Sequence, residues 1–242
     1  MRIAGLFHEH TPEAIRARLA RGPQPSYLRD WIYGGIDGAI TTFAIVAGVV
    51  GADLSTRVMM ILGVANLVAD GFSMAASNYS GTKTEQEEFE RLHAWEDGQI
   101  TANPEGETAE IREIFRLKGF EGADLERAVE IVTSDRERWI QTMLAEEYGL
   151  PKATRAPAIS AMCTFAAFIL CGAIPLLPFI IGVPAAFETS IALTALVFFG
   201  IGTLKSKWSM MHWWRSGLEI TAIGLAAASI AYLIGYVLKN LI

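Results

Sequence analysis

The chain has 242 residues, 52% hydrophobic and 19% charged, with a formal net charge of −6. Its mean hydropathy is +0.32, and the apolar residues gather in a few long runs, which excludes a soluble globular domain and implies a multi-pass membrane protein. No nucleic-acid partner is expected.

Some thirty mostly polar residues come first, so a secretory signal peptide is not expected. Within them "TPEAIRARLARG" supplies Thr11 as N-cap, Pro12 at the first helical position and Gly22 as a stop. This predicts a short basic helix on the membrane surface, within an amphipathic segment over residues 1–30.

A hydrocarbon core about 30 Å thick needs about 20 apolar residues per helix. Five runs qualify, at about 32–51, 56–78, 157–182, 187–204 and 217–238. Pro175, Pro178 and Pro184 interrupt the third and fourth, as broken spans allow where neighbouring helices satisfy the freed backbone groups. The fold expected is all-α and polytopic, with transmembrane helices 1–2 over residues 31–82, a three-helix insert over 83–155 and transmembrane helices 3–5 over 156–242. Cys163 and Cys171 share the third run and offer no disulfide framework. "SKWSMMHWWRSG" reads as an interfacial anchor.

Of the twenty Lys and Arg, five lie in residues 1–30, ten in 83–155 and three in 205–215, leaving only Arg57 and Lys239. With five spans the three groups fall on one side of the membrane. That bias makes the N-terminus, the insert and the Lys205–Lys207 loop cytoplasmic. With no targeting segment, the expected location is a prokaryotic plasma membrane, or a vacuolar one if the source is eukaryotic.

The insert holds eighteen Asp and Glu against ten Lys and Arg. Its three predicted helices are the second span continued to about Gln99, then Glu107 to Lys118 stopped by Gly119, then about Asp124 to Tyr148 stopped by Gly149 and Pro151. Ile111, Ile114, Phe115, Leu125, Val129, Val132 and Ile140 give these helices an apolar face. The plain reading of the acids is a solvated surface. Glu107 with Glu110, and Met143 with Glu147, are three or four residues apart and share a helix face, a donor set suited to divalent cations. His93, three residues after Glu90, begins a di-iron Glu-x-x-His pattern that never recurs, and it reads as a surface histidine.

Each of the first two spans carries one aspartate, Asp37 and Asp70. A buried aspartate costs about 2.5–3.5 kcal/mol at mid-helix, so both need partners or a purpose. Either they hydrogen-bond to Asn66, Ser73, Thr41 or Thr42 and lock helices together, or they line an ion path. Asn66, Asp70 and Met74 recur every four residues, which sets an amide, a carboxylate and a thioether along one stripe. Gly34, Gly35 and Gly38 would admit another helix beside Asp37. Glu188 and Glu219 lie near span ends, where a carboxylate is cheap, and receive no role.

Together "DGAITTFAIVAG", "NLVADGFSMAASNY", "KTEQEEFER", "SDRERWIQTMLAEEYGL" and "GAIPLLPF" resemble the vacuolar iron transporter (VIT) family, over roughly residues 27–239. The resemblance implies a five-span homodimer that moves Fe2+, and Mn2+, Zn2+, Co2+ or Ni2+ as well, out of the cytosol in exchange for protons. It implies translocation-path residues at Asp37 and Met74, with Asn66 where some members have glutamate and Asp70 one turn on. It further implies metal ligands at Glu96, Glu107, Glu110, Met143 and Glu147, with Gln99 and Leu144 at two other ligand positions. The chain is then not an enzyme and needs no permanent cofactor. The alternatives are a membrane-bound ferritin-like iron-binding or oxidising protein, and a purely structural membrane protein.

Overall fold

The computed structural model describes residues 9–22, 24–150 and 155–241; the helix stop expected at Pro151 lies outside them. Helix α1 (Pro12–Arg21) forms as its caps dictate, with the Thr11 hydroxyl accepting the Ala14 amide at 3.3 Å and Gly22 closing it at φ 63°. It buries none of its residues.

The chain divides into two units, residues 1–80 with 155–242, and residues 81–154. The first contains α2 (Leu28–Gly51), the first half of α3 (Thr56–Ala102), α7 (Pro157–Ala173), α8 (Leu177–Ile181), α9 (Ala186–Lys205) and α10 (Trp213–Leu241). Five stretches are long and apolar enough to cross a membrane: α2, α3, α7 continued through α8, α9 with its terminal turn, and α10. All five runs expected from the sequence are helices. Between α7 and α8 a 3₁₀ turn spans Ile174–Leu176, where Pro175 and Pro178 supply no amide hydrogens. The Pro175 carbonyl instead accepts the Ser190 hydroxyl of α9 at 2.7 Å, so the broken span keeps a hydrogen-bond partner away from water.

Helix α2 runs against α7, α9 and α10. A Cβ on Gly34 or Gly38 would strike the backbone of Thr164 or Phe168 on α7, and one on Gly172 would meet Gly38. These glycines do admit another helix beside Asp37, and that helix is α7 of the same chain. Phe43, Val46, Met59, Leu67, Phe168 and Leu176 form the core beneath this crossing. At one end of the unit Lys239 of α10 pairs with Asp53, in the turn after α2, at 2.8 Å.

The second unit comprises the end of α3, α4 (Pro104–Leu117), α5 (Gly122–Thr133) and α6 (Arg136–Glu146). The continuation of the second span is as expected, since α3 is one helix of 47 residues. The single helix expected from about Asp124 to Tyr148 is instead two. Asp135 interrupts it by accepting the Arg138 amide at 2.8 Å, a helix N-cap, and Ser134 bonds back to the Ile131 carbonyl at 2.8 Å. Local side-chain hydrogen bonds thus compete with the helix and win. Leu92, Ile100, Ile111, Val129, Ile140, Met143 and Leu144 form the core of this unit.

Candidate functional site

Two polar groups of residues emerge, one in each unit. In the first, α2 and α3 run antiparallel, and their polar side chains meet in matched register. Asn66 donates its amide to Thr41 Oγ1 at 3.1 Å. One turn along on each helix, Asp37 and Asp70 lie close enough to repel each other. Further along, Asn78 donates its amide to Asp30 Oδ1 at 3.0 Å. Thr41, Asp37, Asn66, Asp70, Met74 and Asn78 are all half-buried, so they form a seam with one open side. The stripe expected on α3 is therefore real as a surface feature, and it extends one step beyond Met74.

That step was not anticipated. Asp30 is 2% exposed and accepts the Arg155 guanidinium at 3.1 Å. Asn78 also donates to Thr164 Oγ1 at 2.6 Å and to the Ser160 carbonyl at 3.2 Å. The signals were available, since Asp30 precedes Asp37 by two helical turns and Asn78 continues the four-residue repeat of Asn66, Asp70 and Met74.

In the acidic unit Glu96 of α3 is 2% exposed and Glu107, in the first turn of α4, is 8% exposed. The Tyr148 hydroxyl donates to Glu96 Oε1 at 2.8 Å, and Glu107 lies close enough to Glu96 for the two carboxylates to interact. Oε2 of Glu96 and Oε2 of Glu107 are buried with no hydrogen-bonding partner. Burial, then the charges of Glu110, Glu96 and Glu147, push the Glu107 carboxyl up to about 7. Burial and the charges of Glu110 and Glu96 also raise the Glu147 carboxyl. Burial and the hydrogen bond to Glu96 raise the Tyr148 phenol.

The structure thus brings Glu96, Glu107, Glu110 and Glu147 within electrostatic reach of one another. Glu110 and Glu147 stand at the exposed edge, and Gln99 is half-buried. Met143 and Leu144 are fully buried in the apolar core. Among the described residues no three His, Cys, Asp or Glu converge closely enough to hold a metal ion as they stand. His93 pairs with Glu137 at 3.1 Å, a surface ion pair. Glu219 pairs with Lys205 at 3.4 Å, and Arg215 stacks on Trp214 at 5.1 Å, as in an interfacial anchor.

Comparison with known proteins identifies the family. The profile of the VIT family matches residues 28–236. Vacuolar iron transporter 1 of Arabidopsis thaliana is 31% identical over 217 residues, covering 88% of this chain and 86% of that protein. The vacuolar iron transporter of Toxoplasma gondii is 32% identical over 227 residues, covering 88% and 74%. Vacuolar iron transporter 1 of Eucalyptus grandis is 29% identical over 209 residues, covering 85% and 84%.

Proposed function

The chain belongs to the VIT family, and from that premise we propose that it exports Fe2+ from the cytosol across a membrane in exchange for protons. The observation that carries this reading is the seam between α2 and α3, where Asp37 and Asp70 lie within electrostatic reach of each other in helices apolar enough to span a bilayer. A dehydrating Fe2+ needs charged oxygen to replace lost water, and two aspartates with the Met74 thioether beside them offer it. The same carboxylates accept protons when the metal leaves, so metal and proton compete for one set of oxygens. Mn2+, Co2+, Ni2+ and Zn2+ suit this donor set too.

The acidic unit gathers cations before they reach the seam. Its surplus of acid raises their local concentration, and Glu96, Glu107, Glu110 and Glu147 hold a metal when Glu107 gives up its proton and the four carboxylates draw together around the ion. The lysine and arginine distribution supports a cytoplasmic location for this unit and for the N-terminus.

Two features support a homodimer with the seam at its interface. Aspartates half-exposed on a membrane-spanning surface cannot face hydrocarbon cheaply. Beside the polar stripe, one residue earlier at each step, run Ala65, Ala69, Ser73 and Ser77, all exposed. Such a row of small residues lets two membrane helices approach closely.

The test is uptake of Fe2+ into sealed, oxygen-free proteoliposomes carrying a proton-sensitive dye. Metal uptake coupled to proton movement in the opposite direction supports the reading. Oxygen consumption with Fe2+ in detergent, and no vectorial uptake, would replace it with the ferritin-like oxidase.

A further inference from the structure

The Asp37–Asp70 pair leaves one buried charge without a role. Asp30 lies two turns from Asp37 on α2, at the end of the first unit where the chain leaves for the acidic insert after Ser80 and returns at Arg155. Its Oδ1 is shared by the Asn78 amide at 3.0 Å and the Arg155 guanidinium at 3.1 Å. Its Oδ2 is buried with no hydrogen-bond partner. Ser160, whose carbonyl accepts from the same Asn78 amide, also keeps its hydroxyl oxygen buried and unpartnered.

A carboxylate that served only to lock helices together would use both oxygens, because an unmade buried acceptor is costly. The two partners also differ in exposure. The Asp30 side chain is 3% exposed and the Arg155 side chain 21% exposed. Asp30 is enclosed by the fold, whereas Arg155 reaches in from just before α7 and keeps part of its side chain at the surface. Without the guanidinium there would remain a buried carboxylate with a spare oxygen, a hard donor suited to a divalent cation.

We propose that Asp30 is the first membrane ligand of the cation path, and that Arg155 is a tethered cation which occupies it until the metal ion displaces the guanidinium. This rests on the reading of the α2–α3 seam as the path. Arg155 keeps the carboxylate neutralised between transport events, and its departure opens the path only to a cation able to replace a full positive charge.

The experiment compares initial rates of Fe2+ uptake into proteoliposomes by the full-length wild type, Arg155→Gln, Arg155→Lys, Asp30→Asn and the Asp30→Asn/Arg155→Gln pair, with thermal unfolding of each purified protein alongside. No uptake by the wild type under any gradient would refute transport itself, a failure separate from this one. With transport established, a pair closed about four-fifths of the time means that Arg155→Gln lowers KM about fivefold. Arg155→Lys keeps the competing charge and leaves KM near the wild-type value. Asp30→Asn removes a charged ligand and raises KM about tenfold or more, without a matching fall in thermal stability. An unchanged or raised KM in Arg155→Gln overturns the proposal, and that variant alone decides the matter if Asp30→Asn does not insert. Equal losses of rate and thermal stability in both single variants, with both recovered in the double variant, would identify a helix lock instead.

Discussion

Asn66 of α3 donates its amide to Thr41 of α2 across 3.1 Å, and the Thr41 hydroxyl donates at 2.9 Å to the carbonyl of Asp37, one turn back. This chain of bonds sets the rotation of the two helices against each other, and it does so without the Asp37 carboxylate. Helix locking and charge are therefore assigned to different side chains. The two readings of the membrane aspartates, as locks or as an ion path, can be separated by mutation.

Asp37→Asn should reduce Fe2+ transport to the background of empty liposomes while the protein still inserts and elutes as the wild type does. The amide preserves size and most hydrogen-bonding capacity but removes both the negative charge and the site of protonation. Full transport by this variant would take Asp37 out of the mechanism and leave Asp70 as the candidate.

The acidic unit should bind metal more tightly as pH rises. Glu107 titrates at about 7 against an ordinary value of 4.5, so the folded chain favours its protonated form and a metal must displace that proton. The same shift fixes the sign of its effect on stability. This group's contribution is most favourable below the ordinary carboxylate range and is lost as pH rises through about 7. In calorimetric titrations of the full chain with Mn2+ from about pH 6 to pH 8, affinity should rise and protons should be released. Changing Glu107, Glu110 and Glu147 together to Ala should flatten both responses and leave part of the transport. An unaltered titration in that variant would mean that these acids form only a solvated face.

The junction between α5 and α6 makes a smaller, purely structural prediction. Asp135→Ala removes the side chain that accepts the Arg138 amide and should destabilise the acidic unit by about 1 kcal/mol. Hydrogen exchange at the first turn of α6 should accelerate. Protection equal to the wild type would show that the cap contributes nothing.

The five spans were legible because each is a long apolar run, and the continuity of α3 was legible because nothing between Thr56 and Gln99 breaks a helix. The break at Asp135 was missed for a local reason: "TSDRER" supports an N-cap as well as a helix interior, and only the tertiary fold selects between them. Asp30 escaped notice for a different reason. It lies at the margin of the first apolar run, and its partners Asn78 and Arg155 are 48 and 125 residues away in sequence. The carboxylates Glu96, Glu107, Glu110 and Glu147 were named from a family resemblance, and the structure brings them within electrostatic reach of one another. Their burial, which singles out Glu96 and Glu107, could not be read from spacing.

The glycines of α2 teach the opposite lesson, since their smallness was legible but the identity of their neighbour was not. Gly34 and Gly38 are consumed by α7 of the same chain, where any Cβ would meet the Thr164 or Phe168 backbone. They cannot also admit a second copy. The small residues left exposed are Ala65, Ala69, Ser73 and Ser77 on α3, directly beside Asn66, Asp70, Met74 and Asn78. If two chains close the seam, this row is where they touch. Single cysteines at Ala69 or Ser73, in a background with Cys163 and Cys171 changed to Ala, should therefore form disulfide-linked dimers in membranes under mild oxidation. Cysteine at Gly34 or Gly38 should instead unfold the α2–α7 crossing, since forcing even small groups into a packed contact costs about 1–3 kcal/mol. Cross-linking through the glycines in a folded sample, with none through Ala69 or Ser73, would move the interface off α3 and remove the argument that a second copy shields Asp37 and Asp70 from lipid.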